Sequence, residues 1–449
     1  MLQRVGEEEK TTNVTVPISE AAFPMPFYEG LEYSSPARGV WNIAHTGMLI
    51  PEAHEIFVCA LGCLRGVVLT AAEMDALDRY SAIELREENV INGGIEELMI
   101  EGVTDILHKL SYRPRAILLY VSCQHLFLGC DLKLVFDTLR TRFSDIHFVD
   151  CYMTPTFRKS GMTPTQRMQV QLYRMWEQMP ADPKKVNLIG SNLETAPSSE
   201  LVRILEDAGY EFWSIHRCED FDDYLKMAEA CLNLVYDPTG LMAAKDIKKR
   251  LGMDYLYLTC TYDLDELEQN YRLLAETLGT DMPDLSEDRK RAEEAIAHAA
   301  TVIGDTPIVL DYTFTFRILS FARMLLEHGF RVTEVCTDAF LPEELENFTW
   351  IREHCPDIVI SATTRPAMRF VHGDCSGQEE TGKKTILALG QKAAYIAGTD
   401  HFVNVAESGG YYGYDGIAQI MGLMEDAFLH EKDRKTLIQQ KGYGCISCL

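Results

Sequence analysis

Residues 95–110 read IEELMIEGVTDILHKL, and residues 116–123 read AILLYVSC. The first stretch places apolar side chains at helical spacing, and the second is an unbroken apolar run ending at Ser122 and Cys123. A helix followed by a fully apolar strand is the unit of a parallel sheet covered on both faces. The alternation continues downstream. Leu132–Phe143 reads as a helix and Ile146–Cys151 as a strand. Helix 163–179, strand 185–190, helix 198–208 and strand 211–215 follow. Next come helix 221–230, strand 232–236, helix 240–251, strand 254–259 and helix 264–279. A charged, Ala-rich helix spans 284–303 and stops at the turn Gly304-Asp305-Thr306-Pro307. Beyond it lie strand 308–311, helix 315–329, strand 331–335, helix 342–354, strand 357–361, a loop-rich stretch and helix 414–430. Such alternation implies βαβ units and doubly wound sheets. Pro180, Pro183 and the Gly304 turn mark boundaries. The expected architecture is therefore α/β, with three doubly wound parallel-sheet, Rossmann-like domains. Residues 1–35 form an N-terminal extension, and the domains are 36–180, 181–304 and 305–449, the last with a C-terminal tail.

A chain of 449 residues suits two or three domains of ~150 residues each. The formal net charge of −26 repels phosphate backbones and anionic lipid, so no nucleic-acid and no membrane partner is expected. No apolar run approaches the ~20 residues that cross a bilayer. The opening residues, MLQRVGEEEKTTN, carry no apolar segment of a secretory signal. The expected location is cytoplasmic.

Thirteen cysteines in a reducing compartment argue against a disulfide framework. Cys218, Cys231, Cys260, Cys336 and Cys355 read as small hydrophobes in or beside predicted elements. Cys59, Cys63, Cys123, Cys130 and Cys151 crowd the N-terminal third and form a candidate metal or cluster group. Soft thiolates suit iron in a sulfide cage, and Gly62 or Gly129 would let backbone approach a bulky group. On spacing alone, buried free thiols remain the competing reading. Gly377-Gln-Glu-Glu-Thr-Gly382-Lys383-Lys384 misses the phosphate-binding loop, because Lys384 stands where a Mg²⁺-holding hydroxyl belongs. It reads as a solvated turn. The terminal Cys445-Ile-Ser-Cys448 reads as an exposed tail. Gly409-Gly-Tyr-Tyr-Gly413-Tyr-Asp-Gly416 is either a tight loop walling a pocket or a plain loop-to-helix junction.

Taken in order, these pieces resemble the nitrogenase component 1 family from about residue 36 to 430. Gly62-Cys63 is similar to that family's Gly-Cys cluster ligand. Ser122-Cys123-Gln-His-Leu-Phe-Leu-Gly129-Cys-Asp131 is similar to its Cys-x5-Gly-Asp-Asp segment, with Cys130 replacing the first Asp. Asn233-Leu-Val-Tyr-Asp237 and the 409–416 loop resemble stretches of its α-type subunit. The family also has an earlier cluster cysteine, but Ala37-Arg38-Gly39 holds none; Cys59, an Asp or a partner subunit could substitute. At the two positions where the α subunits hold their active-site cofactor by Cys and His, this chain has Asp237 and Val403. His401 and Cys231 lie near but out of place. The family's paired-His stretch is replaced around Thr165-Gln166-Arg167.

The resemblance implies three domains around a central cleft and one subunit of an ATP-dependent two-component reductase. A separate ATP-hydrolysing iron protein would deliver electrons, which fits the missing phosphate-binding loop. An iron–sulfur cluster would sit at a subunit interface, with Cys63 and Cys123 as its ligands, Cys59 as a third, and 36–180 as the cluster-binding domain. A second metallocofactor of unknown identity is compatible with the family. A second component-1-type subunit, a copy or a homologue, would complete the assembly. A small-molecule substrate would enter a cleft lined by Asp237, the 157–167 loop and the 409–416 loop, with Asp237 as a candidate catalytic proton donor or a helix cap. Dinitrogen reduction with a standard iron–molybdenum cofactor is not expected. The alternatives are a non-catalytic partner subunit or cofactor-assembly scaffold of the same family, and a cluster-free small-molecule-binding module.

Overall fold

The computed structural model describes residues 14–27, 33, 43–154, 162–371 and 385–438. In chain order its strands are β1 (Thr15–Pro17), β2 (Ala53–Cys59), β3 (Tyr80–Glu84), β4 (Ala116–Ser122), β5 (His147–Met153), β6 (Asp182–Leu188), β7 (Glu211–Ser214), β8 (Ala230–Val235), β9 (Asp254–Tyr257), β10 (Pro307–Asp311), β11 (Arg331–Cys336), β12 (Val359–Ser361), β13 (Leu387–Leu389) and β14 (Phe402–Val403). They build three sheets, ordered β3-β2-β4-β5, β7-β6-β8-β9 and β1-β12-β11-β10-β13-β14. Every pairing is parallel except β1 with β12. The chain groups into two compact units. One, of residues 40–194 and 205–259, holds both four-stranded sheets. The other takes its residues from 1–39, 195–204 and 260–449 and holds the six-stranded sheet.

The stretch that reads as helix then apolar strand folds that way. The helix Ile95–Lys109 buries Ile95, Met99, Val103 and Leu107, four residues apart and so on one face. Glu96 and Glu97 sit in its first turn and His108 and Lys109 in its last, matching the helix dipole at both ends. β4 then sends alternate side chains to opposite faces. Ala116, Leu118 and Tyr120 join one apolar cluster, while Ile117, Leu119 and Val121 join the other with Met99 and Val103. Full burial of each Leu, Ile or Val is worth about 1.5–3 kcal/mol, so this central strand anchors the sheet from both sides.

Several elements depart from the sequence reading. The helix expected over 163–179 runs only Pro164–Leu172, capped by Thr163, whose hydroxyl accepts from the Gln166 amide. Tyr173 and Trp176 beyond it turn into the core instead. β2, β3 and β1 were not expected from the apolar pattern. The loop-rich stretch after β12 contains β13, the helix Gln391–Ala397 and β14.

Strand order fixes where a ligand can reach each sheet. In β3-β2-β4-β5 the chain steps outward from β2 to β3, then crosses back to β4. The order reverses between β2 and β4, and such switch points leave a crevice at the carboxyl ends of the strands. The same reversal falls between β6 and β8, and between β10 and β13.

In the unit with the six-stranded sheet, Glu200 fixes the start of the long helix Gly413–Leu429. Its buried carboxylate accepts from the backbone N–H groups of Tyr414 and Asp415 and from the Tyr271 hydroxyl. Gly413 is obligatory there, because a Cβ would lie 2.2 Å from Glu200 Oε1 and φ is +84°.

Candidate functional site

The three switch points differ in what fills them. Between β10 and β13, Asp311 is fully buried. Its Oδ1 accepts from the Thr313 amide at 2.8 Å and its Oδ2 from the Ala393 amide at 2.8 Å. A Cβ on Gly390 would lie 2.2 Å from that Oδ2, so the carboxylate plugs the crevice. Between β6 and β8 the backbone does so. A Cβ on Gly190 would stand 2.4 Å from the Gly240 Cα, and one on Gly240 would stand 2.5 Å from the Gly190 Cα. Asp237, 3% exposed, sits beside this contact. Its Oδ1 accepts from the Thr239 amide at 2.8 Å and the Thr239 hydroxyl at 2.7 Å, which is the geometry of a helix cap before Leu241–Leu251.

Beside the switch point between β2 and β4 the glycines are exposed: a Cβ on Gly62, Gly66 or Gly129 would meet nothing within 4 Å. Val58 pairs with Val121, so Cys59 and Ser122 leave the sheet side by side. Cys63 is the third residue of the helix Leu61–Glu73, which starts just past β2, and its thiol is exposed. Cys123 opens the short helix Cys123–Phe127 just past β4, half-exposed, with its Sγ 4.0 Å from the Met153 carbonyl. The Ser122 amide donates to His125 Nδ1 at 3.1 Å and pins that turn. The topology thus places Cys63 and Cys123, distant in sequence, just past the carboxyl ends of two neighbouring strands.

Cys59 behaves differently. It lies on the same strand face as Phe57, is fully buried in the apolar cluster, and burial with the nearby Cys63 pushes its thiol up to about 12. A thiol held that firmly protonated is a poor ligand until it is drawn from the core. Cys151 is fully buried and raised by the same desolvation. Cys130 is pushed up to about 12 by burial and the neighbouring Glu96 carboxylate. Cys260 and Cys336 are core residues as expected, whereas Cys218, Cys231 and Cys355 are only partly buried. Cys231 donates to the Lys185 carbonyl, 3.2 Å away at the start of its strand. Among the described residues no three His, Cys, Asp or Glu side chains gather closely enough to hold a metal ion. The donor chemistry of Cys63 and Cys123 suits part of a thiolate-ligated cluster.

The sequence pattern of the family described as nitrogenase component 1 type oxidoreductase matches residues 45–424. The chain belongs to that family. Among solved structures it is similar to one titled "Nitrogenase Cp1 at pH 6.5", at 15% identity and a TM-score of 0.67, covering 90% of this chain and 94% of that one. It is also similar to "Nitrogenase Cp1 at pH 5", at 13% identity and a TM-score of 0.56, covering 92% and 93%. These likenesses show the α/β fold. No curated protein matches the sequence.

In this nitrogenase component 1 type chain, the positions compared with the α-type cofactor ligands offer neither thiol nor imidazole. Val403 is a buried residue of β14, 1% exposed. His401 turns its Nδ1 to the Ala427 carbonyl at 3.0 Å. Arg167 lays its guanidinium over the Tyr152 ring. In the 409–416 loop, Tyr412 and Tyr414 are buried against Tyr271. Ala37-Arg38-Gly39, residues 157–161, the 377–384 stretch, Cys445 and Cys448 lie outside the described residues. Among those described, no helix is long and apolar enough to cross a membrane. The strand reversals and the Gly190–Gly240 approach had no local sequence signal, since each depends on segments far apart in the chain.

Proposed function

We propose that this chain is a subunit of a nitrogenase-like, ATP-dependent two-component reductase, receiving electrons from a separate iron protein and passing them toward a small-molecule substrate. The observation that carries the reading is the placement of Cys63 and Cys123 just past neighbouring strands at a switch point, within a chain of this family. A thiolate-held iron–sulfur cluster there would supply one-electron transfer at low potential. The chain's own residues do the rest. Gly62 and Gly66 leave room, Ser122 and His125 fix the turn that carries Cys123, and the apolar wall behind Cys59 keeps water from the sheet side. A second component-1-type subunit contributes the remaining ligands.

The test is iron and acid-labile sulfide analysis of anaerobically purified protein. Cys63→Ala and Cys123→Ala should each lose most of the iron, because a cluster missing a thiolate is labile. Full iron in both variants would remove the cluster reading. A second reading, a non-catalytic partner or assembly scaffold, is favoured by Val403 and by the capping geometry of Asp237. The partner subunit's sequence discriminates: Cys and His retained at those two positions place the active site there.

A further inference from the structure

We propose that the groove between the helices Ile318–Glu327 and Leu345–His354 docks a basic amphipathic helix of another protein. Both helices belong to the unit with the six-stranded sheet, whereas Cys63 and Cys123 belong to the other, and docking here needs no cluster. The helix Leu345–His354 buries Phe348 and Ile351. It leaves Leu345, Glu346, Thr349, Trp350 and Glu353 along the groove, where spacings of three and four residues make them one stripe. With Arg323 from the neighbouring helix they line an open groove of about 550 Å³.

The floor of the groove is apolar. Leu345 is 53% exposed, and Trp350 is half-buried. The Thr349 hydroxyl already donates to the Leu345 carbonyl at 2.8 Å, so it demands nothing of a ligand. The Arg323 guanidinium lies 5.1 Å from the centre of the Trp350 ring, held there by Glu327 at 3.0 Å and Asn347 at 3.3 Å, and His354 stacks on the same ring at 4.5 Å. The ring is thus fixed before a partner arrives, which lowers the ordering cost of binding. The rim is acidic. Glu346 is exposed and reaches Arg323 only at 3.5 Å, and exposed Glu353 has no ion-pair or hydrogen-bond partner among the described residues. These two carboxylates stand seven residues apart, which is about 10 Å along a helix. Lys or Arg side chains two turns apart on a partner helix match that spacing, while its apolar stripe covers Leu345 and Trp350. The net charge of −26 draws such a partner and repels lipid, nucleic acid and acidic proteins.

The experiment uses the full chain and a fluorescein-labelled helical peptide of about 14 residues, some four turns, with Leu at every third or fourth position and Lys or Arg elsewhere. Fluorescence anisotropy is read at low and high salt. The expected result is saturable one-to-one binding at about 10–100 μM, weakened by salt. Trp350→Ala, and separately the pair Glu346→Lys/Glu353→Lys, should each weaken it at least about tenfold while keeping the far-ultraviolet circular dichroism of the parent. Glu206→Lys/Asp207→Lys, the same change of charge in the other unit, should weaken it less than about twofold. No saturable binding up to about 1 mM would overturn the assignment. Equal loss in the Glu206/Asp207 pair, full binding in both groove variants, or equal binding of the same peptide with Glu in place of its Lys and Arg would overturn it too. Self-association in sedimentation velocity that Trp350→Ala abolishes would give the groove to a second copy instead. Iron content plays no part in the readout, so failure here leaves the cluster reading standing.

Discussion

Replacing Glu200 by Ala tests how the long helix Gly413–Leu429 is held. Glu200 is 1% exposed and accepts from the Tyr271 hydroxyl at 2.7 Å, from the Asp415 amide at 3.2 Å and from the Tyr414 amide. Those amides lie in the helix's first turn, where N–H groups have no intrahelical acceptor. Glu200→Ala leaves three donors facing a small void, and a buried donor without a partner costs about 1–3 kcal/mol. Loss of the negative charge at a helix N-terminus adds about 0.3–1 kcal/mol. Against this, burial raises the Glu200 carboxyl above its ordinary range, so its removal returns part of the desolvation cost. The balance is a loss of about 3–4 kcal/mol, with roughly half for Glu200→Gln, whose amide oxygen still accepts. A multi-unit chain does not unfold in one step, so the assay is hydrogen exchange across residues 413–429 alongside denaturant unfolding. Unchanged exchange there for Glu200→Ala, with every transition within about 0.5 kcal/mol of the parent, would refute the reasoning.

Asp237→Asn should be nearly silent in stability, since Asn presents the same acceptor to Thr239, whereas Asp237→Ala should cost about 1–2 kcal/mol. If the Asn variant retains stability and iron but loses reductive turnover, the carboxyl is a proton donor; equal turnover leaves it a cap. Cys59→Ala should keep most of the iron and lower stability by about 1–2 kcal/mol, read by metal analysis and urea unfolding, because its thiol packs in the core. The contribution of Glu344 to stability should rise as pH falls from 8 to 6, against the opposite contribution of His54, His125, His147 and His216, whose folded values burial lowers. Burial raises Glu344 to about 7 and lifts Glu55 and Asp311 above their ordinary values. A group raised in the folded state stabilises below its unfolded pKa, and that contribution is lost as pH climbs through the folded value, for Glu344 near 7. Glu344→Gln should flatten the slope around neutrality in a series of thermal melts; an unchanged slope would show that Glu344 does not contribute to it.

The sequence made the repeating units legible because the buried strands are long and apolar. β4 and the helix before it read correctly since both faces of the strand meet hydrocarbon. β2 was hidden by chemistry. His54 and Glu55 look like surface residues, yet both are fully buried. His54 is satisfied by Tyr112 and Ser81, and Glu55 Oε1 accepts from the Tyr120 hydroxyl at 3.0 Å. Apolar periodicity cannot see a polar group that finds its partner sixty residues away. β13 and β14 are too short to carry a period at all. At the candidate site, residue type marked five cysteines, and the family resemblance singled out Cys63 and Cys123 among them. What separated them from Cys59 is side-chain parity: Cys59 shares a strand face with Glu55 and Phe57, while Cys63 has already entered a helix. That parity is set by strand register, which no local motif encodes.

The antiparallel strand β1 has a consequence for how the molecule is made. Thr15 pairs with Ser361 and Pro17 with Val359, so β1, made long before its partner, closes the edge of a sheet whose other strands come last. At translation speeds of about 5–20 residues per second, β1 waits on the order of tens of seconds for its partner. The unit built from 40–194 and 205–259 has all its strands by then. Vectorial synthesis therefore exposes the crevice of Cys63 and Cys123 as a finished surface while the six-stranded sheet is still incomplete. The unit built from 40–194 and 205–259 can finish folding before the chain is released.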